Sequence, residues 1–344
     1  VKPGDFDNDG DLDLFVGGKL IPGNYPLPAD SYLLKNESQG GNIKFVDVTK
    51  ELAPFMTELG MVSDAEWVDV DNDNNLDLVI VGEWMPIKII KNTGSEFVDI
   101  SKESGLENQV GWWYSVACAD FDKDGDKDFI VGNLGENYKY QASPTEPFEV
   151  YARDFDKSGS LDIVLGYHEN GIAYPLRGRE CSSNQMPFIK EKFPSYNDYG
   201  LADMSTVYGK ESLEKSLHYA ATTFATSYIE NLGGMKFNIQ QIDALAQFSS
   251  VNSILIDDFN KDGNLDVVLS GNLYQAEVET PRNDAGYGVL LEGNGKGQFT
   301  SKLPYESGLF VKGDVKNAAI INTPTNANKR IIFGKNDDEV QVVE

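Results

Sequence analysis

Histidine and cysteine are almost absent from this chain: among 344 residues there are only His168, His218, Cys118 and Cys181. Imidazole or thiolate zinc sites therefore have almost nothing to build from. Whether the two cysteines pair is left open, because nothing in the sequence brings together positions about 60 residues apart. Long apolar runs are missing too. None approaches the roughly 18 residues of a membrane-spanning helix, so no membrane span is expected within the chain. Basic residues are scarce, with 29 Lys and Arg against 55 Asp and Glu and a formal charge of −26. Such a surface repels phosphate backbones and anionic membranes, which excludes nucleic acid as a partner class. No nucleophile elbow, phosphate-binding loop or H-E-x-x-H occurs. The sequence opens Val-Lys-Pro-Gly, with neither Met nor a signal-peptide core, which suggests a chain processed or cut from a longer one.

What is present is core material and turn formers: 40% apolar residues, 33 Gly and 14 Pro, a composition that folds. A nine-residue acidic segment recurs five times, as Asp5 to Asp13 (DFDNDGDLD), Asp69 to Asp77 (DVDNDNNLD), Asp120 to Asp128 (DFDKDGDKD), Asp154 to Asp162 (DFDKSGSLD) and Asp258 to Asp266 (DFNKDGNLD). Each is followed by a short apolar run (LFVGG, LVIVG, FIVGN, IVLGY, VVLSG), and four of the five are preceded by another.

The frame D-x-[DN]-x-D-G-x-x-D suits a hard cation of calcium's size. Side-chain oxygens at positions one, three, five and nine converge with the carbonyl of position seven, and Gly at position six supplies the positive φ that folds the loop back. The candidate ligands are Asp5, Asp7, Asp9, Asp11 and Asp13; Asp69, Asp71, Asp73, Asn75 and Asp77; Asp120, Asp122, Asp124, Asp126 and Asp128; Asp154, Asp156, Ser158, Ser160 and Asp162; and Asp258, Asn260, Asp262, Asn264 and Asp266. Up to five Ca2+ ions are expected. An EF-hand is excluded because position twelve, where it needs Glu, is Val16, Ile80, Val131, Leu165 and Leu269. The β-branched runs that follow read as strands. The first and third loops, all carboxylate, should bind best, and the fourth, with two serines, least well. Asn74 stands where Gly is expected and tolerates the left-handed region. Five divalent ions would bring the formal charge from −26 to −16.

The second unit reads as a four-stranded meander over Ala65 to Val70, Leu76 to Val81, Pro86 to Lys91 and Phe97 to Ile100, with Asn92-Thr93-Gly94 turning the last pair. Repeated meanders are the signature of propeller blades. The fold expected is an all-β propeller of six to seven four-stranded blades forming one domain over 1–344, with a partly helical insertion at 176–221. Loop starts lie 64, 51, 34 and 104 residues apart. The gap of 34 suggests a third unit without its outer pair, and the gap of 104 holds the insertion, where Met204, Tyr208, Leu213 and Leu217 have helical spacing. The first loop has no room before it for an inner strand, so Glu339 to Val343 is expected to close a blade with N-terminal material.

These residues resemble the FG-GAP or VCBS repeat, found in integrin α-subunit propellers and cartilage acidic protein. The segments VGEWMPI, GWWYSV and VGNLGENYKYQASPTEP look more narrowly like VCBS-repeat surface proteins of Bacteroidota. The resemblance covers nearly the whole chain. It implies a bacterial surface or outer-membrane-associated protein whose partner is a glycan or a protein. Loops of this type in extracellular modules bind calcium at about 10⁻⁴ to 10⁻³ M, which external calcium fills and the cytosol does not. Antiparallel order gathers Glu83, Trp84, Trp112, Trp113, Asn137, Tyr138 and His168 on the face away from the calcium loops, as candidate ligand residues. His168 beside Glu169 is a candidate acid/base pair. The leading expectation is a calcium-stabilised binding or scaffold module. A polysaccharide lyase or glycoside hydrolase, and a purely structural subunit of a surface complex, are the alternatives; no spacing singles out a catalytic carboxylate pair.

Overall fold

Both runs flanking each acidic loop become antiparallel strands, and all five loops share one register: the last Asp lies opposite the residue just before the loop, as in Gly4↔Asp13, Val68↔Asp77, Ala119↔Asp128, Arg153↔Asp162 and Asp257↔Asp266. The computed structural model describes residues 1–276, 280–322 and 329–344, and it is all-β with short helical segments. Contacts divide the chain into two units. One comprises Val1–Lys19, Ala29–Lys139 and Phe224–Glu344, and the other Leu20–Pro28 and Tyr140–Thr223.

Among the described residues the first unit holds five sheets. Sheet I is Lys2–Gly4, Asp13–Val16, Tyr32–Asn36 and Phe45–Asp47. Sheet II is Met61–Val68, Asp77–Pro86, Lys88–Asn92 and Phe97–Asp99, with Val110–Trp112 added along the far end of its second strand. Sheet III is Ser115–Ala119, Asp128–Gly132, Ser227–Asn231 and Phe237–Gln241; sheet IV is Val251–Asp257, Asp266–Gly271, Val289–Gly293 and Phe299–Lys302. Sheet V has three strands, Val315–Ile321, Arg330–Lys335 and Gln341–Val343.

The first strands of the five sheets touch in sequence, I to II to III to IV to V. Side chains alternate across a strand, so each inner sheet packs apolar residues on both neighbours. Leu78 and Ile80 join the cluster with Phe15 and Leu33 of sheet I, while Val79 and Val81 join Val116, Phe129 and Val131 of sheet III. Ile130 then packs with Val267 and Leu269, and Val268 with Ile331 and Phe333. Burial on both faces is why the second strands read as unbroken apolar runs. The end sheets bury one face less fully: Leu14, Val16 and Ile332 are only half-buried.

The second unit's sheet runs in the order Ile172–Pro175, Asp162–Glu169, Phe148–Arg153, Leu217–Ala221, beside five helices of five to seven residues between Arg179 and Glu214. Val164, Met186, Ile189, Met204, Val207 and Tyr208 form its core, with Tyr151 packed against them.

Several expectations change. The third loop's sheet does have an outer pair, Ser227–Asn231 and Phe237–Gln241, reached only after the whole second unit. That unit is wider than the insertion expected at 176–221, because it includes the fourth loop and a complete sheet. The helical run through Leu217 breaks at Gly209, whose φ is 86°, and Leu217 starts a strand. Lys2–Gly4 is the first loop's own inner strand, and Gln341–Val343 pairs with Arg330–Lys335 instead of N-terminal residues. Both cysteines are free. Among the described residues, no helix is long and apolar enough to cross a membrane.

Candidate metal centres in the acidic loops

Each loop is shaped by its own carboxylates before any ion is considered. The Asp at position one accepts backbone N–H groups from later in its loop, as Asp5 does from Asp9 (3.1 Å) and Gly10 (3.0 Å) and Asp69 does from Asp73 (3.0 Å) and Asn74 (2.8 Å). Position six has the expected left-handed backbone, including Asn74 at φ 69°. These bonds leave oxygens from several positions facing one point. In four loops three carboxylate oxygens lie within 4.8 Å of one another: Asp5, Asp7 and Asp13; Asp69, Asp71 and Asp77; Asp120, Asp122 and Asp124; Asp154, Asp156 and Asp162. That spread fits a cation with oxygen ligands at about 2.3–2.6 Å. In the fifth loop Asn260 replaces the middle acid and donates to Asp262 (3.2 Å), so no all-acid triad forms there among the described residues. The fourth loop, ranked lowest from its serines, does have one.

The donor set fits a hard cation. Oδ1 of Asp71 and Oδ1 of Asp11 are buried and have no hydrogen-bond partner among the described residues. An ionised carboxyl oxygen shut away from water is costly without a donor or a cation. The other oxygen of Asp71 meets Lys91, which also lies 3.3 Å from Asp73; Lys35 likewise meets Asp7 and lies 3.5 Å from Asp9. These contacts raise both ammonium pKa values, with the hydrogen bonds to Asp71 and Asp7 as the leading causes. The two lysines occupy the same place, the penultimate residue of the third strand of sheets I and II, and offset part of the loop charge.

The last Asp of each loop does more than its expected ligand role. Asp13, Asp77, Asp128, Asp162 and Asp266 are buried. Asp77 accepts the N–H of Val70 (3.0 Å) and, from the third strand, that of Asn92 (2.7 Å). Asp13 does the same with Phe6 and Asn36, Asp128 with Phe121 and Asn231, and Asp266 with Phe259 and Gly293. Burial pushes Asp77 and Asp128 up to about 6 in spite of these bonds.

The third-strand asparagines were missed. Asn92 donates to Phe6 O (2.7 Å) and Leu76 O (3.2 Å), and Asn231 donates to Val70 O (3.0 Å) and Lys127 O (3.3 Å). Their signal was local: Asn92, Asn231 and Asn36 each precede by two a residue whose N–H they cap, Gly94, Gly233 and Ser38.

The candidate ligand residues do not form the expected aromatic face. Trp84, Trp112 and Trp113 are buried. Trp84 packs edge-on to Trp112 at 5.0 Å, Trp112 packs on Phe224, and Trp113 donates to Gln109 O at 3.3 Å. Their rings serve as core where Val110–Trp112 joins sheet II. Glu83 is half-buried, 3.6 Å from Lys19. Asn137 is exposed and donates to Phe248 O (3.3 Å), and Tyr138 is half-buried.

His168 lies in the second unit's sheet, and its partner is Glu149, not Glu169. Neighbours along a strand point to opposite faces, so His168 and Glu169 diverge. The buried Glu149 accepts from Nε2 of both His168 and His218 at 2.9 Å, and from the Tyr151 hydroxyl at 3.1 Å. Tyr151 also stacks on His218 at 4.2 Å. Burial works against the charge on Glu149, but the bonds from His218 and His168 outweigh it and hold its pKa below the usual value.

No curated protein matches the chain. Among solved structures it is similar to Sqt1 of Saccharomyces cerevisiae (13% identity over 89% of this chain and 63% of that one, TM-score 0.33). It is also similar to the V. cholerae biofilm matrix protein Bap1 (10% identity over 98% of this chain and 65% of that one, TM-score 0.29). The chain thus spans less than two thirds of either protein's length. Residues 69–131, from the start of the second loop to the second strand of sheet III, match the family model of the FG-GAP-like repeat, so this segment carries a repeat of that family.

Proposed function

We propose that the chain is a calcium-stabilised binding or scaffold module of a surface protein, built on the β-propeller plan of FG-GAP and VCBS-repeat proteins. The observation that carries the reading is the recurrence of three converging carboxylate oxygens in four loops, with the buried Oδ1 of Asp71 lacking any protein donor among the described residues. Asp5, Asp7 and Asp13 and their counterparts would hold the ions. When bound, an ion offsets the repulsion between carboxylates that the lysines only partly relieve. Sequential contact of the first strands supports a blade-like order.

Calcium here has a structural role, and the module acts without catalysis. External calcium concentrations suit loops of this type, which favours an extracellular setting. Together with the resemblance to Bacteroidota surface proteins, that points to the outer-membrane surface of a bacterium and to a protein or glycan partner.

Thermal unfolding of the chain in calcium, in magnesium and in excess chelator tests the metal reading. A calcium-specific rise in Tm, lost in part on Asp122→Ala and barely altered by Ser158→Ala, is expected. Identical curves in calcium and chelator would overturn it.

A further inference from the structure

The fourth residue of each loop has a left-handed backbone, with φ of 58° at Asn8, 61° at Asn72 and 66° at Lys123. That conformation is uncommon outside glycine, and in the first, second and third loops it carries the side chain out of its own loop toward a neighbouring one. Nδ2 of Asn8 reaches Asn75 Oδ1 (3.3 Å) and Asn74 O (3.4 Å) in the second loop. Nδ2 of Asn72 donates to Asp126 Oδ1 (2.6 Å) in the third. Nζ of Lys123 donates to Asn264 Oδ1 (2.8 Å) and Gly263 O (3.0 Å) in the fifth. Each time a side chain at position seven, in the candidate ligand set, is an acceptor, and in the second and fifth loops the carbonyl of position six accepts as well. Bonds also run backward: Asn92 holds Phe6 O of the first loop, and Asn231 holds Val70 O of the second. The first, second, third and fifth loops are therefore tied in the order in which their sheets touch.

Resting on the calcium reading, we propose that these four loops take up calcium cooperatively, with the residue at position four as the coupling element. An ion that gathers positions one, three, five and nine fixes the backbone of position four between them. The fixed side chain then holds position seven of the next loop, so that loop orders at lower entropic cost when its own ion arrives. Position four is not a ligand, which makes the coupling separable from binding. The fourth loop belongs to the second unit and titrates on its own.

The test is calcium titration calorimetry of the metal-free full chain and of Asn72→Gly, which permits the left-handed backbone and removes the side chain. Asn8→Gly is the second variant. A Hill coefficient above 1 in the parent, falling toward 1 in both variants with the same number of ions bound, supports the coupling. Cooperativity unchanged in both variants, or a parent isotherm of independent sites, refutes the coupling and leaves the calcium reading intact. No calcium uptake by the parent overturns the calcium reading itself, and the coupling with it.

Discussion

Asn92 offers a test of the framework that is independent of metal. Its buried side chain makes three hydrogen bonds, donating to Phe6 O and Leu76 O and accepting from Gly94 N. Asn92→Ala deletes all three and leaves the backbone bond to Asp77 in place. At about 1 kcal/mol per net hydrogen bond, with a further penalty for the buried Phe6 carbonyl left unpaired, the loss comes to ~2–4 kcal/mol. All four tryptophans, Trp67, Trp84, Trp112 and Trp113, belong to the first unit, so tryptophan fluorescence during urea unfolding reports that unit. The loss should appear as a lower midpoint with an unchanged slope. It should be the same size in calcium and in chelator, because Asn92 gives no oxygen to an ion. Asn294→Ala is the control. That side chain bonds only at the exposed surface, to Lys296 N and Gln298, and its removal should cost well under half as much. A change below about 0.5 kcal/mol for Asn92→Ala, or a loss seen only in calcium, would refute the staple role.

Two more substitutions probe other parts of the chain. Glu149 has a lowered pKa, so its stabilisation of the second unit is fully present above the ordinary carboxylate pKa of about 4.3 and is lost as pH falls through its lower folded value. Glu149→Ala should cost ~2–3 kcal/mol at pH 7, and hydrogen exchange of Phe148–Arg153 should show its excess over the parent shrinking as pH drops toward 3. A constant excess down to pH 3 would count against the charge as the source. Asn74 holds φ 69° where the other loops have Gly10, Gly125, Gly159 and Gly263 at 86° to 101°. Asn74→Gly should therefore raise stability by about 0.5 kcal/mol, measured by the same fluorescence assay, and a loss would mean that the Asn side chain has a role of its own.

The parts of the molecule legible in the sequence are those set by local chemistry. Five loops were readable because ligand spacing and a left-handed sixth position leave few residue choices, and the meander from Met61 to Asp99 followed from strand runs and an Asn-Thr-Gly turn. What escaped was set by pairing across distance. The third loop's second strand registers Phe129 against Ile229 with the second unit between them, and a long closure costs only a little more than a short one, so separation alone did not reveal the partner. Trp84 and Trp112 sit at strand ends, where a ring that faces ligand and a ring that fills a core read alike. The register shift between Glu83 and Met85, and the extra strand Val110–Trp112, decide in favour of core.

The same division runs through the loops themselves. Position nine was read as a ligand, yet one of its two backbone donors comes from the third strand, 15 residues away for Asp77 and 103 for Asp128. Position four carried no signal in its own loop, since its partner lies in the next. A repeat sequence thus specifies each loop, while the bonds that join one loop to another depend on the stacking of sheets. Of these, the bonds made by position four are the ones whose removal should change how the ions bind together without changing how many bind, whereas the Asn92 and Asn231 bonds hold the sheets together with or without ions.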